Sequence, residues 1–142
     1  MESREVIRCK APLRIGLAGG GTDVSPFSDI YGGCVLNATI NLYAHCTLEF
    51  GSGNNEISFN SLDTGKTVSF PVASELEPNG DLDLHKAVYN RIVADFNNSE
   101  AIPCRLTTWV DAPPGSGLGS SSTLVVAMIG AFAELLNLPL GE

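Results

Sequence analysis

The sequence predicts an α+β sandwich: short, largely antiparallel strands with helices on one sheet face. Three observations lead there. The first half, up to Val72, is rich in β-branched and aromatic runs cut by glycine turns. Apolar residues then recur every fourth position at Leu84, Val88, Ile92 and Phe96, the stripe of an amphipathic helix. Finally, a strand-like run, a glycine-serine loop and an apolar helical run follow one another from Cys104 to Asn137. Strands followed by helix, strand, loop and helix pack as a sheet with one covered face.

Each element has its own signal. Val6–Lys10 and Leu13–Leu17 are extended and joined through Ala11-Pro12. AGGGTD (18–23) is a glycine-rich turn, and Tyr31-Gly32-Gly33 is a second. CVLNATI (34–40) and YAHCTLEF (43–50) read as two strands. GSGNN (51–55) reads as a hairpin-like connection to EISFNS (56–61), and Asp63-Thr64-Gly65-Lys66 as a turn before TVSFPV (67–72). Asn79-Gly80-Asp81 precedes the first helix and Asn97-Asn98 ends it. CRLTTWV (104–110) is a further strand. From Ser120 a second helix shows Leu124, Met128 and Phe132 with Val125 and Leu135, and stops at Asn137 and Pro139. It is apolar on several sides, so burial is expected, and its N-terminal N–H groups need partners.

The chain has 142 residues, one-domain size, with 44% apolar and 17% charged residues, an ordinary globular composition. A net charge of -8 argues against nucleic acid and anionic membrane as partners. No apolar run approaches the ~20 residues of a membrane span. The opening MESREVIRCK carries no apolar signal core. The four cysteines form no Cys-x-x-Cys pair, and His45 and His85 stand alone, away from metal spacing. The expectation is a cytoplasmic protein with reduced thiols, each cysteine a buried structural residue.

DAPPGSGLGSSSTLVVAMIGAF (111–132) carries the chemistry. Gly115, Gly117 and Gly119 alternate with Ser116 and Leu118, and bare backbone lets a ligand come close. Ser120, Ser121, Ser122 and Thr123 offer hydroxyls at the helix start. A helix N-terminus presents about half a positive charge and free N–H donors. The pattern therefore reads as an anion site, with phosphate the expected anion. A first-turn hydroxyl also suits Mg²⁺, which prefers oxygen and travels with nucleotide phosphates. The alternative is a plain loop with a serine N-cap. It is no Walker loop, because no lysine is present, and no dinucleotide fingerprint, because Ser122 holds the place of the third glycine. No glycine follows the serines as a nucleophile elbow requires, so they read as ligands and caps.

The earlier stretch is KAPLRIGLAGGGTD (10–23). Arg14 suits a phosphate or carboxylate by paired hydrogen bonds. Thr22 and Asp23, set beside open backbone, suit a polyol; the alternative is a tight turn with Asp23 capping a helix.

Together, APLRIGLAGGGTDV and PPGSGLGSSST resemble motifs one and two of the GHMP small-molecule kinases, the superfamily of galactokinase and homoserine, mevalonate and phosphomevalonate kinases. The AGGGTD wording, YGGCVLNATI and DAPPGSGLGSSS are most similar to the D-glycero-D-manno-heptose 7-phosphate kinase branch. The kinase domain of L-fucokinases is the alternative, and a non-catalytic nucleotide- and sugar-binding homologue another. The resemblance implies a ribosomal protein S5 domain 2-like fold, a mixed sheet with helices on one face and a left-handed βαβ crossover. It implies ATP phosphates along Pro114, Gly115, Ser116, Gly117, Leu118, Gly119, Ser120, Ser121 and Ser122, with Mg²⁺ on Ser121. Arg14 then falls at the catalytic centre, and Gly20, Gly21, Thr22 and Asp23 at the sugar. Galactokinase has Glu-His at the place of Gly20-Gly21, which argues against galactose.

The implied reaction moves the γ-phosphoryl of ATP to the anomeric hydroxyl of heptose 7-phosphate, giving the 1,7-bisphosphate for nucleotide-activated heptose. Lys10, Arg8 and Arg105 are candidates for the substrate's own phosphate; the alternative for each, and the expected one, is a solvated surface charge. Family kinases run to roughly twice this length. Residues 1–142 are thus expected to be the N-terminal ATP-binding domain without its C-terminal partner, inactive alone. Apolar surface left uncovered is expected to drive self-association. A purely structural module of the related RNA-binding fold is the remaining alternative, and the acidic charge counts against it.

Overall fold

The structure is a computed structural model and describes residues 5–51 and 55–139. Parts of three expectations lie outside those residues: the signal-free start (1–4), the middle of the 51–55 connection (52–54) and the chain end (140–142). Five strands, β1 (Glu5–Ala18), β2 (Leu36–Phe50), β3 (Glu56–Ser61), β4 (Lys66–Pro71) and β5 (Arg105–Val110), form one sheet in the order β1-β2-β5-β3-β4. The helices are α1 (Phe27–Tyr31), α2 (Asp83–Phe96) and α3 (Ser120–Leu135).

Tertiary pairing corrects several boundaries. Val6–Lys10 and Leu13–Leu17 are one strand. Pro12 does not break it, because β1 is a sheet edge, where a missing N–H costs no ladder bond, and a register shift follows between Pro12 and Arg14. The two runs expected at 34–40 and 43–50 likewise fuse into β2. The hairpin expected across 51–55 does not form, because β5 lies between β2 and β3. β3 runs parallel to β5, and such a pair needs a long crossover, here supplied through β4 and α2. The sheet is thus mixed rather than a set of meanders. Helix α1 had no sequence signal.

Leu13, Ala44, Leu48, Phe59 and Leu106 of the sheet are fully buried, with Tyr89 and Val93 of α2 and Met128 and Phe132 of α3. The covering face of α2 is His85, Val88, Tyr89, Ile92 and Val93, an i, i+3, i+4, i+7, i+8 set. Leu84 and Phe96 are 38% and 46% exposed. A spacing of four overshoots a turn by ~40° each time, so the ends of the expected stripe drift to its margins. There they line an apolar groove with Val125 and Ile129 of α3. The outer side of α3 is open at Val126. A second apolar patch, around Leu17, Val24, Ile30, Tyr31 and Leu36, is also exposed. All four cysteines are free; Cys46 and Cys104 are buried, but Cys34 is exposed, because it sits on a surface turn rather than in the core. Among the described residues no helix is long and apolar enough to cross a membrane.

The register places the two glycine-rich stretches together. β2 is antiparallel to both β1 and β5, so β1 and β5 end at the same end of the sheet. Val110, the last residue of β5, pairs with Ala44, which pairs with Ala11. β1 continues past that level to Ala18, paired with Leu36. The β1–β2 ribbon overhangs the end of β5, and the loop after β5 runs beside the overhang.

Tyr89 ties the segments flanking α2 to the core. Its hydroxyl donates to Ala73 O at 2.9 Å and accepts from the Ile102 N–H at 2.9 Å. Tyr89→Phe keeps the ring but leaves both backbone groups unpartnered. It should cost about 1–3 kcal/mol, read as a lower urea midpoint at constant slope. An unchanged midpoint would mean that water or other groups replace both bonds.

Candidate functional site

The loop from Asp111 to Gly119 is pinned at both ends. At its start the Asp111 carboxylate accepts from the Tyr43 N–H at 2.9 Å and contacts His45 Nε2 at 3.0 Å. The Tyr43 N–H, then His45, hold this carboxyl below its ordinary range. At its end Leu118 O accepts from the Arg14 N–H at 3.2 Å. The Leu118 side chain packs against the core, so its part in the site is its backbone.

Gly119 is the N-cap of α3, in the left-handed region at φ 72°, and no side chain caps the helix. The serine cap of the plain-loop reading is therefore not found. Ser122 Oγ and Thr123 Oγ1 both donate back to Gly119 O, at 3.1 and 2.9 Å. Ser122 Oγ also accepts from Arg14 Nη1 at 3.2 Å. A Cβ on Gly119 would meet the Arg14 guanidinium at 3.2 Å. Glycine suits this position on two counts: its left-handed φ, and an α-carbon that leaves Arg14 its place against the helix start.

The AGGGTD turn is held by its own backbone. A Cβ on Gly19 would stand 1.9 Å from Cys34 O, and one on Gly33 2.3 Å from Thr22 O. The two turns touch main chain to main chain. The Thr22 hydroxyl joins them: it donates to Gly19 O at 2.7 Å and accepts from the Cys34 N–H at 3.1 Å. Thr22, expected at the sugar, thus spends its hydroxyl inside the chain and fixes the position of Asp23. Asp23 caps no helix.

Two cavities flank the loop. One, of ≈ 390 Å³, joins Arg14, Gly20 and Asp23 to Gly117 and Gly119, as the two motifs predicted. It also holds Gly16, Val35 and Asn37, which the sequence reading missed. The other, of ≈ 250 Å³, is lined by Pro114, Ser120 and Ser121 on the loop side. Its far wall comes from Ser61, Asp63, Thr64 and the start of α2, Leu82 to His85, none of them foreseen. Gly21, Gly115, Ser116 and Ser122 line neither cavity. The basic candidates for a substrate phosphate are elsewhere. Lys10 Nζ lies 4.4 Å from the centroid of the Tyr43 ring, and neither Arg8 nor Arg105 lines either of these two cavities.

The far wall is rigid for electrostatic reasons. Lys86 is 1% exposed, and its ammonium donates to Asn79 Oδ1 and, at 3.1 Å, to Asp83 Oδ1. Asp83 also accepts from the Asn79 and Gly80 N–H groups, which hold its carboxyl below the ordinary range. His85 is 3% exposed; its Nε2 lies 2.8 Å from Thr108 Oγ1, and its Nδ1 has no partner.

With this geometry in place, the chain can be compared with known proteins. Residues 83–142 match the family described as GHMP kinases N terminal domain. The chain is 52% identical over 138 residues to a D-glycero-alpha-D-manno-heptose 7-phosphate kinase of Campylobacter jejuni, covering 97% of this chain and 40% of that protein. It superposes with a TM-score of 0.88 on a crystal structure of a D-glycero-D-manno-heptose 1-phosphate kinase from Bacteroides thetaiotaomicron. Identity there is 55%, over 96% of this chain and 44% of the other. A mevalonate kinase of Methanococcus jannaschii, at 20% identity and TM-score 0.76, shares the fold. The chain spans less than half the length of these proteins. The resemblance read from the two motifs and the α+β fold are both borne out.

Burial pushes the His85 imidazole down to about 4. In the unfolded chain it protonates near 6.5; in the folded chain it stays neutral until about pH 4. The unfolded state therefore binds more protons across that window, and stability falls as pH drops through it, by about 3 kcal/mol over the whole window. Urea midpoints between pH 7 and pH 4.5 should show this decline, and His85→Gln should flatten it.

Proposed function

We propose, from the premise that this chain carries the GHMP kinase N-terminal domain, that it provides the phosphate-binding half of an ATP-dependent sugar kinase, one that phosphorylates the anomeric hydroxyl of heptose 7-phosphate. One observation carries the reading: the glycine-serine loop is the shared wall of two cavities. Pro114, Ser120 and Ser121 face one, and Gly117 and Gly119 face the other beside Arg14 and Asp23. A nucleotide seated in the first cavity can lay its phosphates over the helix start and present the terminal phosphoryl to the second.

The chain's own groups fit that task. The start of α3 has no side-chain cap, so its N–H donors and the positive end of its dipole are available to an anion. Arg14, steadied by Ser122, adds a fixed guanidinium where charge must be neutralised. Asp23 makes no hydrogen bond among the described residues and offers carboxylate oxygens to a sugar hydroxyl. Phosphoryl transfer asks chiefly for alignment and charge neutralisation, and these groups supply both.

Mg²⁺ fits the same place. Ser121 is exposed in the first turn of α3, and its hydroxyl makes no hydrogen bond among the described residues, leaving an oxygen for a cation that also binds phosphates. When bound, the ion would neutralise the triphosphate. Four free thiols suit a reducing compartment such as the cytoplasm. The exposed apolar groove and patch support self-association of the chain.

Three measurements test this reading. Calorimetric titration with MgATP should give saturable binding, and Ser121→Ala should weaken it about tenfold, or ~1.4 kcal/mol. Asp23→Ala should leave nucleotide affinity unchanged and abolish heptose 7-phosphate binding; sugar binding that survives the change would remove Asp23 from the site. Light scattering across a dilution series should show a mass above that of one chain, and a monomer at every concentration would end the self-association proposal.

A further inference from the structure

Two glycines at the site need neither a left-handed backbone nor room for a neighbouring atom, although Gly16 stands at a register shift of β1. Gly19 is fixed by contact with Cys34, Gly33 by contact with Thr22, and Gly119 by contact with Arg14. Gly16 and Gly20 differ: neither has a left-handed φ, and a Cβ on either would meet nothing within 4 Å. Glycine inside a strand weakens it, and an interior glycine often marks a close approach by something else. Gly16 lies inside β1, on the overhanging ribbon. Both glycines line the ≈ 390 Å³ cavity.

Directly opposite Gly16 on β2 is Asn37. Opposed residues of an antiparallel pair project to the same face, so the missing side chain at Gly16 clears the space beside Asn37. Asn37 is exposed, lines the cavity, and its amide makes no hydrogen bond among the described residues. An amide offers an acceptor and two donors side by side, so it can both accept from and donate to a single hydroxyl. Asp23 adds acceptors and Arg14 adds donors to the same cavity. The set suits a polyhydroxylated anion.

We infer that the Gly16–Asn37 pair is a specificity-determining element that reads the hydroxyl on the carbon a heptose has beyond a hexose, and that Gly16 leaves room for that carbon. The inference rests on the kinase reading above. That reading puts the reacting hydroxyl beside the loop, near Gly117 and Gly119. Asn37 stands on a different element, the sheet wall, and so meets another part of the same sugar. A site built to hydrogen-bond a hydroxyl discriminates strongly against a ligand lacking it, because its own polar group is then left unpaired.

The test uses the full 142-residue chain, ¹⁵N-labelled, with MgATP, D-glycero-D-manno-heptose 7-phosphate and mannose 6-phosphate as separate titrants. The heptose phosphate should shift the Asn37 side-chain amide signals saturably. Asn37→Ala and Gly16→Ala should each weaken it at least tenfold and change the hexose phosphate less than twofold. Neither variant should melt below the wild type: Asn37 has no partner among the described residues to lose, and Gly16→Ala meets no atom and should match or exceed the wild-type melting temperature. If the heptose phosphate moves the Asp23 and Gly20 signals but not Asn37, or if both sugars weaken equally, the inference is overturned and the kinase reading stands. If neither sugar moves any signal of the cavity, the inference is also overturned. The MgATP arm judges the kinase reading separately, through the amides of Gly115 to Ser122.

Discussion

Arg14 joins the two halves of the site. Its N–H donates to Leu118 O, and its guanidinium donates to Ser122 and lies against the bare α-carbon of Gly119. One residue thereby fixes the glycine-serine loop to the edge strand and sets a positive charge at the start of α3. Asp23 is placed by a different device, the contact of two turns joined by the Thr22 hydroxyl. Both devices are short-range and main-chain based, so the site keeps its shape without a cluster of side chains around the ligand. A chain of net charge -8 cannot attract a polyanion by its overall field. Local N–H groups and one guanidinium must do so, and that requires them to be held in place before the anion arrives.

What could be read from the sequence was chemistry that is local in the chain. The glycine-serine loop and the Arg14 and Asp23 positions are each contained in a few consecutive residues, and one cavity brings Arg14 and Asp23 beside Gly117 and Gly119. The ends of α2 and α3 were legible for the same reason, since turn residues and apolar periodicity are local. Strand order was not. Nothing in GSGNN states that β5 will separate β2 from β3, because that depends on which edge gains most from pairing. The far wall of the cavity beside Ser120 and Ser121 was hidden likewise: Asp63 and His85 both line it only because β3 and β5 are parallel neighbours. Asn37 reads in sequence as one more strand residue, because its pairing with Gly16 across the ribbon is set by register.

The residues given a role too early also share a cause. Thr22 was assigned to the sugar because a hydroxyl in a glycine turn suggests a ligand, but the turn's own backbone consumes it. Lys10 was a candidate phosphate anchor because it is basic and near the first motif. It projects instead beside Tyr43, and cation–π contact with that ring occupies it. In both cases a polar side chain found a partner inside the chain, which a linear reading does not reveal.

The overhang of β1–β2 past β5 explains why the two cavities lie where they do. Had the three strands ended level, the loop after β5 would have turned across their ends and closed over them. Because β1 and β2 continue, the loop runs alongside a wall of sheet, and a gap remains between main chain and main chain. The side of that gap formed by the loop offers N–H groups, and the side formed by the ribbon offers Asp23, Arg14 and Asn37. Under the proposed reading, an anion and a polyol would be met by different elements of the fold. Side chains on the ribbon could then change to suit a different sugar while the glycine-serine loop stays as it is, which would separate the choice of substrate from its phosphorylation.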